Sequence, residues 1–185
     1  MTPIYIVLGI VVLIVLWLIF AFNRLVSLRN QTQEALSDID VQSKRRYTLI
    51  PNLVETVKGY AAHEKNLLEN VTAARAAIMT GGKSPLDRAK AEDQFSAAIK
   101  SIFAVAENYP QLKANENFLD LQKELTDTED KMMSARRFYN GSVRDLNTAI
   151  QKFPTNLIAG PFGFSQMKFF ELSSPAEGQP VQVKF

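Results

Sequence analysis

The sequence predicts an all-α protein: a single N-terminal transmembrane helix followed by an antiparallel bundle of long helices, four in number, or three if Pro51 only kinks one of them. Three observations carry this. Residues 4–22 hold no charged side chain; beyond them apolar residues recur at three and four positions through most of the chain; and the breaks between these stripes are few and short. The resulting organisation is an anchor over residues 1–23, a helical bundle over 24–154 and a Phe-rich tail over 155–185.

At about 1.5 Å per residue, the apolar run makes a helix of roughly 28 Å, close to the hydrocarbon thickness of a bilayer. Tyr5 and Trp17 stand towards its two ends, where amphipathic rings favour the interface. A cleaved signal peptide is the competing reading. It fits less well, because Met1, Thr2 and Pro3 bring no basic side chain and residues 18–22 are mostly bulky where a cleavage site needs small ones. Arg24 and Arg29 follow the run directly and Lys44, Arg45 and Arg46 come later, so the positive-inside rule predicts an outside N-terminus and a cytoplasmic body.

Leu25, Leu28, Thr32, Ala35 and Ile39 begin the helical stripe, which shifts to Ser43, Tyr47, Ile50, Val54, Val57 and Ala61. Pro51 lacks an N–H and crowds the preceding turn, so it is read as the start of a second helix, with a kink as the alternative. That helix carries Leu67, Leu68, Val71, Ala74 and Ile78 and stops at Gly81-Gly82. Ser84-Pro85 has the form of a cap followed by a first-turn proline. The third helix then runs through Phe95, Ile99, Ile102 and Ala106 to Pro110. A fourth starts near Asn115 or Asn117, holds Phe118, Leu125, Met132, Tyr139, Val143 and Ile150 in period, and ends at Phe153-Pro154.

Composition removes several kinds of chemistry. Without Cys there is no disulfide, thiolate metal site or cysteine nucleophile, and 21 basic against 19 acidic residues give no electrostatic footprint for nucleic acid. The one His, His63, is preceded three positions earlier by Tyr60, which removes the Glu-x-x-His pattern of di-iron bundles. Gly81, Gly82, Lys83 and Ser84 resemble the end of a phosphate-binding loop, but Ala77 stands where an earlier glycine is required. No cofactor and no catalytic residue is expected.

The polar residues on or near the stripes are more informative. Asp40 and Lys44 are spaced for an intrahelical ion pair. Asp40, Asn52, Glu55, Arg136, Arg137, Asn140 and Asn147 form a candidate polar network, read first as register-setting packing and second as a binding surface. In the tail, Phe162, Phe164, Phe169 and Phe170 are candidates for association or membrane contact, because they crowd among Gly160, Pro161 and Gly163 and must be buried somewhere. Their own bundle, the bilayer surface and a neighbouring subunit are the three places open to them. The alternation Val181, Val183, Phe185 is compatible with a short strand, and a disordered end is the default.

Several separate blocks, in order, closely resemble the bacterial LemA family: Ser37-Asp38-Ile39-Asp40-Val41-Gln42, Lys44-Arg45-Arg46, the run from Leu49-Ile50-Pro51-Asn52 to Lys58-Gly59-Tyr60, Asn115-Glu116-Asn117-Phe118, Ala135-Arg136-Arg137-Phe138-Tyr139-Asn140 and Phe153-Pro154-Thr155-Asn156. The resemblance implies an N-terminal anchor, a bundle of long helices and a bacterial membrane protein with its bulk in the cytoplasm. It supplies no enzymatic activity. The leading expectation is therefore a non-catalytic, membrane-anchored scaffold or adaptor at the bacterial inner membrane, partnered by the lipid bilayer, by further copies of itself as a homo-oligomer and by an unidentified protein, with no nucleic acid. The alternative is a membrane-tethered sensor, or a ligand- or peptide-binding module, in which Asn52, Glu55, Arg136 and Asn140 line a polar groove between helices.

Overall fold

A computed structural model describes residues 2–80 and 84–170. Among the described residues every regular element is helical: α1 (Thr2–Lys58), α2 (Lys65–Met79), α3 (Pro85–Ala106), the single turn α4 (Pro110–Lys113), α5 (Glu116–Gln151) and the single turn α6 (Asn156–Ala159). They belong to two compact units. One comprises residues 2–38 with 135–169; the other comprises the described part of 39–134 with Phe170.

The second unit is an antiparallel four-helix bundle made by the C-terminal third of α1, α2, α3 and the first half of α5. Its core takes Ile50, Leu53, Val57 and Ala61 from α1 and the turn after it, Leu68 and Val71 from α2, Phe95, Ile99, Ile102 and Ala106 from α3, Leu112 from α4, and Phe118 and Leu125 from α5. The three-and-four spacing along each helix puts these side chains on one stripe. Each large one removed from water contributes about 1.5–3 kcal/mol before the entropy of ordering offsets it. Phe103 and Phe118 meet edge-on at 6.0 Å.

Local chemistry fixes most boundaries. The Ser84 side chain accepts a hydrogen bond from the Asp87 N–H at 3.2 Å, and Pro85 occupies the first turn, where a missing N–H is harmless. Asn115 starts α5 in the same way, its Oδ1 accepting from the Phe118 N–H at 3.0 Å. α2 ends at Met79; Gly81 and Gly82 lie outside the described residues. α5 ends at Gln151, just before Phe153-Pro154.

Pro51 does not start a helix. α1 passes through it without interruption, and the break comes instead at Gly59 and Tyr60, where the Tyr60 N–H donates to the Val57 carbonyl at 3.1 Å and the turn tightens. The physical reason lies in α2. A proline at 51 leaves the Tyr47 carbonyl without its helical donor, and Arg75 of α2 supplies the replacement, its Nε–H donating to the Tyr47 oxygen at 3.0 Å. Replacing Arg75 with alanine is expected to cost about 1–2 kcal/mol by orphaning that carbonyl. In a Pro51→Ala background, which restores the N–H, the same change costs clearly less. Denaturant titration of the four proteins reads the coupling, and equal losses in both backgrounds would contradict this account.

The first unit gathers the N-terminal part of α1, the end of α5, α6 and the tail as far as Phe169. Ala21, Leu25, Ile158, Ala159 and Phe164 form its buried cluster, with Trp17, Leu18, Phe22, Val26, Ala149 and Ile150 around it. Over residues 4–20 α1 is largely bare: Leu13 is 67% exposed and Phe20 65%. This helix is long and apolar enough to cross a membrane. The strand anticipated at Val181, Val183 and Phe185 falls outside the described residues.

Candidate functional site

On α1, the buried positions Ile39, Arg46, Ile50, Leu53 and Val57 repeat with seven-, four- and three-residue steps, so Arg46 lies on the stripe that enters the bundle core. Its side chain is 2% exposed. α3 places Glu92 on its own buried stripe between Ala89 and Phe95, and α5 brings Glu129 next to the buried Thr128. The guanidinium joins all three helices. Arg46 Nη1 donates to Glu92 Oε2 at 2.9 Å, and Nη2 donates to Ser96 Oγ at 3.0 Å and to the Glu129 carboxylate. Ser43 Oγ donates to the other oxygen of Glu92, Ser96 Oγ reaches Glu129 at 3.1 Å, and the guanidinium lies 5.1 Å from the Phe95 ring centre.

Glu92 is nearly sequestered, its side chain 4% exposed, whereas Glu129 retains 29% exposure. Beside the cluster is a cavity of about 190 Å³ whose walls include Ile39, Ser43, Ile78, Arg88, Glu92 and Phe170. At its rim Asp40 pairs with Arg88 at 2.5 Å. The anticipated Asp40–Lys44 pair is thus replaced by one between α1 and α3. This arrangement is suited to holding three helices in one register, because a planar fork with fixed partners accepts only one alignment.

The other expected polar residues are divided between the units. In the bundle, Asn52 and Glu55 are exposed and face a shallow groove of about 450 Å³ with Asn117, Asp120 and Glu124. Glu55 pairs with Lys58 at 3.5 Å and Glu124 with Arg45 at 3.4 Å. In the other unit, Arg136 is buried, Arg137 exposed and Asn140 half-buried. Asn147 clamps the tail, since its side chain both donates to the Met167 carbonyl and accepts from the Met167 N–H, each at 2.9 Å. Tyr139 adds a bond from its hydroxyl to the Lys168 carbonyl at 2.9 Å. These bonds hold an otherwise irregular segment against α5.

The four tail phenylalanines separate accordingly. Phe164 and Phe170 are buried in their own chain, and Arg29 lies 5.1 Å from the Phe164 ring centre. Phe162 and Phe169 remain 60% and 38% exposed. Among the described residues no group of three or more His, Asp or Glu is placed to hold a metal. Two groups are perturbed: the hydrogen bond from Lys131, 2.7 Å away, lowers the Asp127 pKa with a smaller contribution from Arg45, and the hydrogen bond to Glu64 at 3.0 Å raises that of Tyr109.

Arg46, Glu92, Glu129, Ser43 and Ser96 were not among the candidates read from sequence. The available signal was positional: Arg46 and Glu92 each interrupt an apolar stripe at a step of three or four. The run Lys44-Arg45-Arg46 obscured it by reading as one solvated face.

Fold and network together define a class: an all-helical protein in which one apolar N-terminal helix, long enough to cross a bilayer, continues into a bundle stapled by a buried arginine. Magnetosome protein MamQ of Magnetospirillum gryphiswaldense is 25% identical to the chain over 89% of its length and 69% of that protein. Magnetosome protein MamQ 2 of Paramagnetospirillum magneticum is 25% identical over 92% and 72%. Protein LemA of Metamycoplasma hominis is 27% identical over 82% and 69%. The LemA family model matches residues 35–185, and the chain belongs to that family. It is a membrane-associated helical protein.

Proposed function

We propose that the chain is a non-catalytic scaffold or adaptor, held in the bacterial inner membrane by the first part of α1 with its body in the cytoplasm, that self-associates in the plane of the bilayer. The observation that carries this reading is the use made of the buried polar groups. Arg46 through its two terminal nitrogens, Glu92, Glu129, Ser43 and Ser96 are engaged with one another, Asn147 is engaged with the tail, and the Arg46 Nε and Gln42 Oε1 are buried without a hydrogen bond. This is the pattern of a body built to hold its shape. A binding groove would instead leave donors and acceptors convergent on open space.

Anchoring supplies the second half of the argument. A protein confined to two dimensions meets its own copies at a high effective concentration, so contacts too weak to dimerise a soluble domain are sufficient. Exposed Leu119 and Met133 on α5, 46% and 44% accessible and four helical turns apart on one side, offer apolar surface for such a contact. Mass photometry of the detergent-extracted full chain tests the proposal. Discrete oligomers are expected, weakened by Leu119→Glu with Met133→Glu; a strict monomer at membrane-like concentration rejects self-association. A reporter active only in the cytoplasm, fused to the C-terminus, tests the sidedness and is expected to be active.

A further inference from the structure

The last turns of the apolar run are not bare. Trp17, Leu18 and Phe22 pack around the cluster that contains Ile158, Ala159 and Phe164, and Phe22 meets Phe162 edge-on at 5.2 Å. The chain that follows α5 therefore lies level with the end of the run, where apolar side chains give way to Arg24. A surface facing water at this level would be polar. Instead Phe153, Leu157 and Phe162 are 74%, 64% and 60% exposed.

Beside them is a groove of about 550 Å³. Trp17 and Phe20 of the apolar run form one wall, Arg24 follows one turn later, and Arg144 of α5 with Lys152 and Phe153 just beyond its end also line it. Asp145 also lines the groove, 3.7 Å from Arg144, so three basic groups face one acidic group. Its α1 wall begins with Trp17 and Phe20 in the apolar run and continues past Arg24 to Leu25 and Leu28, so apolar side chains and basic groups share one groove. That combination suits a phospholipid with an anionic head.

We propose that this groove binds an anionic phospholipid of the leaflet beside the body, its phosphate among Arg24, Arg144 and Lys152 and its acyl chains along Trp17 and Phe20, while Phe153, Leu157 and Phe162 enter the bilayer surface. Continuity with the apolar run decides the occupant: a free anion makes no use of Trp17 and Phe20, whereas a phospholipid uses both the apolar wall and the basic groups. Exposed aromatic and aliphatic side chains flanked by Lys and Arg are the composition by which protein surfaces bind at a membrane interface. The body is thereby attached at a second place, next to the span.

Trp17 is the one tryptophan of the chain and lines the groove, so its fluorescence reports the occupant. The full chain is reconstituted in phosphatidylcholine nanodiscs with a minor fraction of lipid brominated on its acyl chains, either phosphatidylglycerol or phosphatidylcholine. The expected result is that brominated phosphatidylglycerol quenches Trp17 at roughly one-tenth the mole fraction that phosphatidylcholine needs, each basic group near the lipid surface contributing several-fold. Arg24→Gln/Arg144→Gln/Lys152→Gln removes the preference. Lys65→Gln/Lys90→Gln/Lys100→Gln, which deletes the same charge from exposed positions elsewhere, keeps it. Equal quenching by the two lipids in the unaltered chain overturns the proposal without recourse to any variant. So does loss of the preference on adding inorganic phosphate, which would assign the groove to a free anion, or survival of the preference in the groove variant.

Discussion

Replacing Arg46 with alanine is expected to destabilise the bundle by about 3–5 kcal/mol, a substantial part of the margin by which a domain of this size stays folded. The loss does not equal the strength of the ion pairs. It arises mainly because Glu92, 4% exposed, and Glu129, 29% exposed, both lose the guanidinium they accept from. Arg46→Lys recovers only part of the loss, since one ammonium cannot span Glu92, Glu129 and Ser96 as the planar fork does. The informative comparison is Arg46→Met with Glu92→Leu and Glu129→Leu, which removes the charges together and fills the space with apolar atoms. That protein is expected to regain most of the stability, because a buried ion pair is often no better than a well-packed apolar replacement. Its cost should fall on uniqueness, seen as broadened side-chain resonances with the helical circular dichroism retained. If Arg46→Ala loses less than about 1 kcal/mol by denaturant titration, the network is not what holds α1, α3 and α5 in register.

The self-association proposed above depends on the staple through this rigidity. A scaffold that presents a surface repeatedly must hold one shape, and Leu119 and Met133 lie on the same helix that supplies Glu129. Variants that loosen the register without unfolding the bundle are therefore the ones in which oligomer formation should fail first.

Elements whose signals are local could be read from the chain. Ser84-Pro85, Asn115 and Phe153-Pro154 act within one or two turns of themselves, and each coincides with a helix boundary. The features that escaped depend on residues distant in sequence. Pro51 reads as a helix start until Arg75 is seen satisfying the Tyr47 carbonyl. Arg46 belongs to a basic run whose other members are exposed, and only the face α1 turns towards α3 and α5 separates it from Lys44 and Arg45. The tail presents four similar phenylalanines, and nothing in their spacing separates the buried pair, Phe164 and Phe170, from the exposed pair. Asn147 was legible as a polar residue near a seam, but its partner at Met167 was not.

Two arginines in place of Ile10 and Leu13 are expected to release a large share of the protein from the membrane pellet after alkaline extraction, whereas one is not. Residues 4–22 hold fifteen Leu, Ile, Val or Phe side chains; at about 0.3–0.6 kcal/mol each they favour insertion by roughly 5–9 kcal/mol. An arginine near the middle of a span costs roughly 2.5–3.5 kcal/mol and also forfeits the contribution of the residue it replaces. One such change leaves a clear surplus, while two cancel most of it. The side chains chosen are 53% and 67% exposed, so neither change disturbs packing inside the protein, and the soluble form of the double variant should keep the helical content of its body. Complete release by a single arginine would mean that the run is held more weakly than its composition requires. Full retention of the double variant would show that attachment does not rest on the span alone, and the surface formed by Phe153, Leu157 and Phe162 would be the first place to look for the remainder. Adding Phe153→Ser and Phe162→Ser to the double variant separates the two contributions, because these positions lie outside the apolar run and are expected to matter only when the span has been weakened.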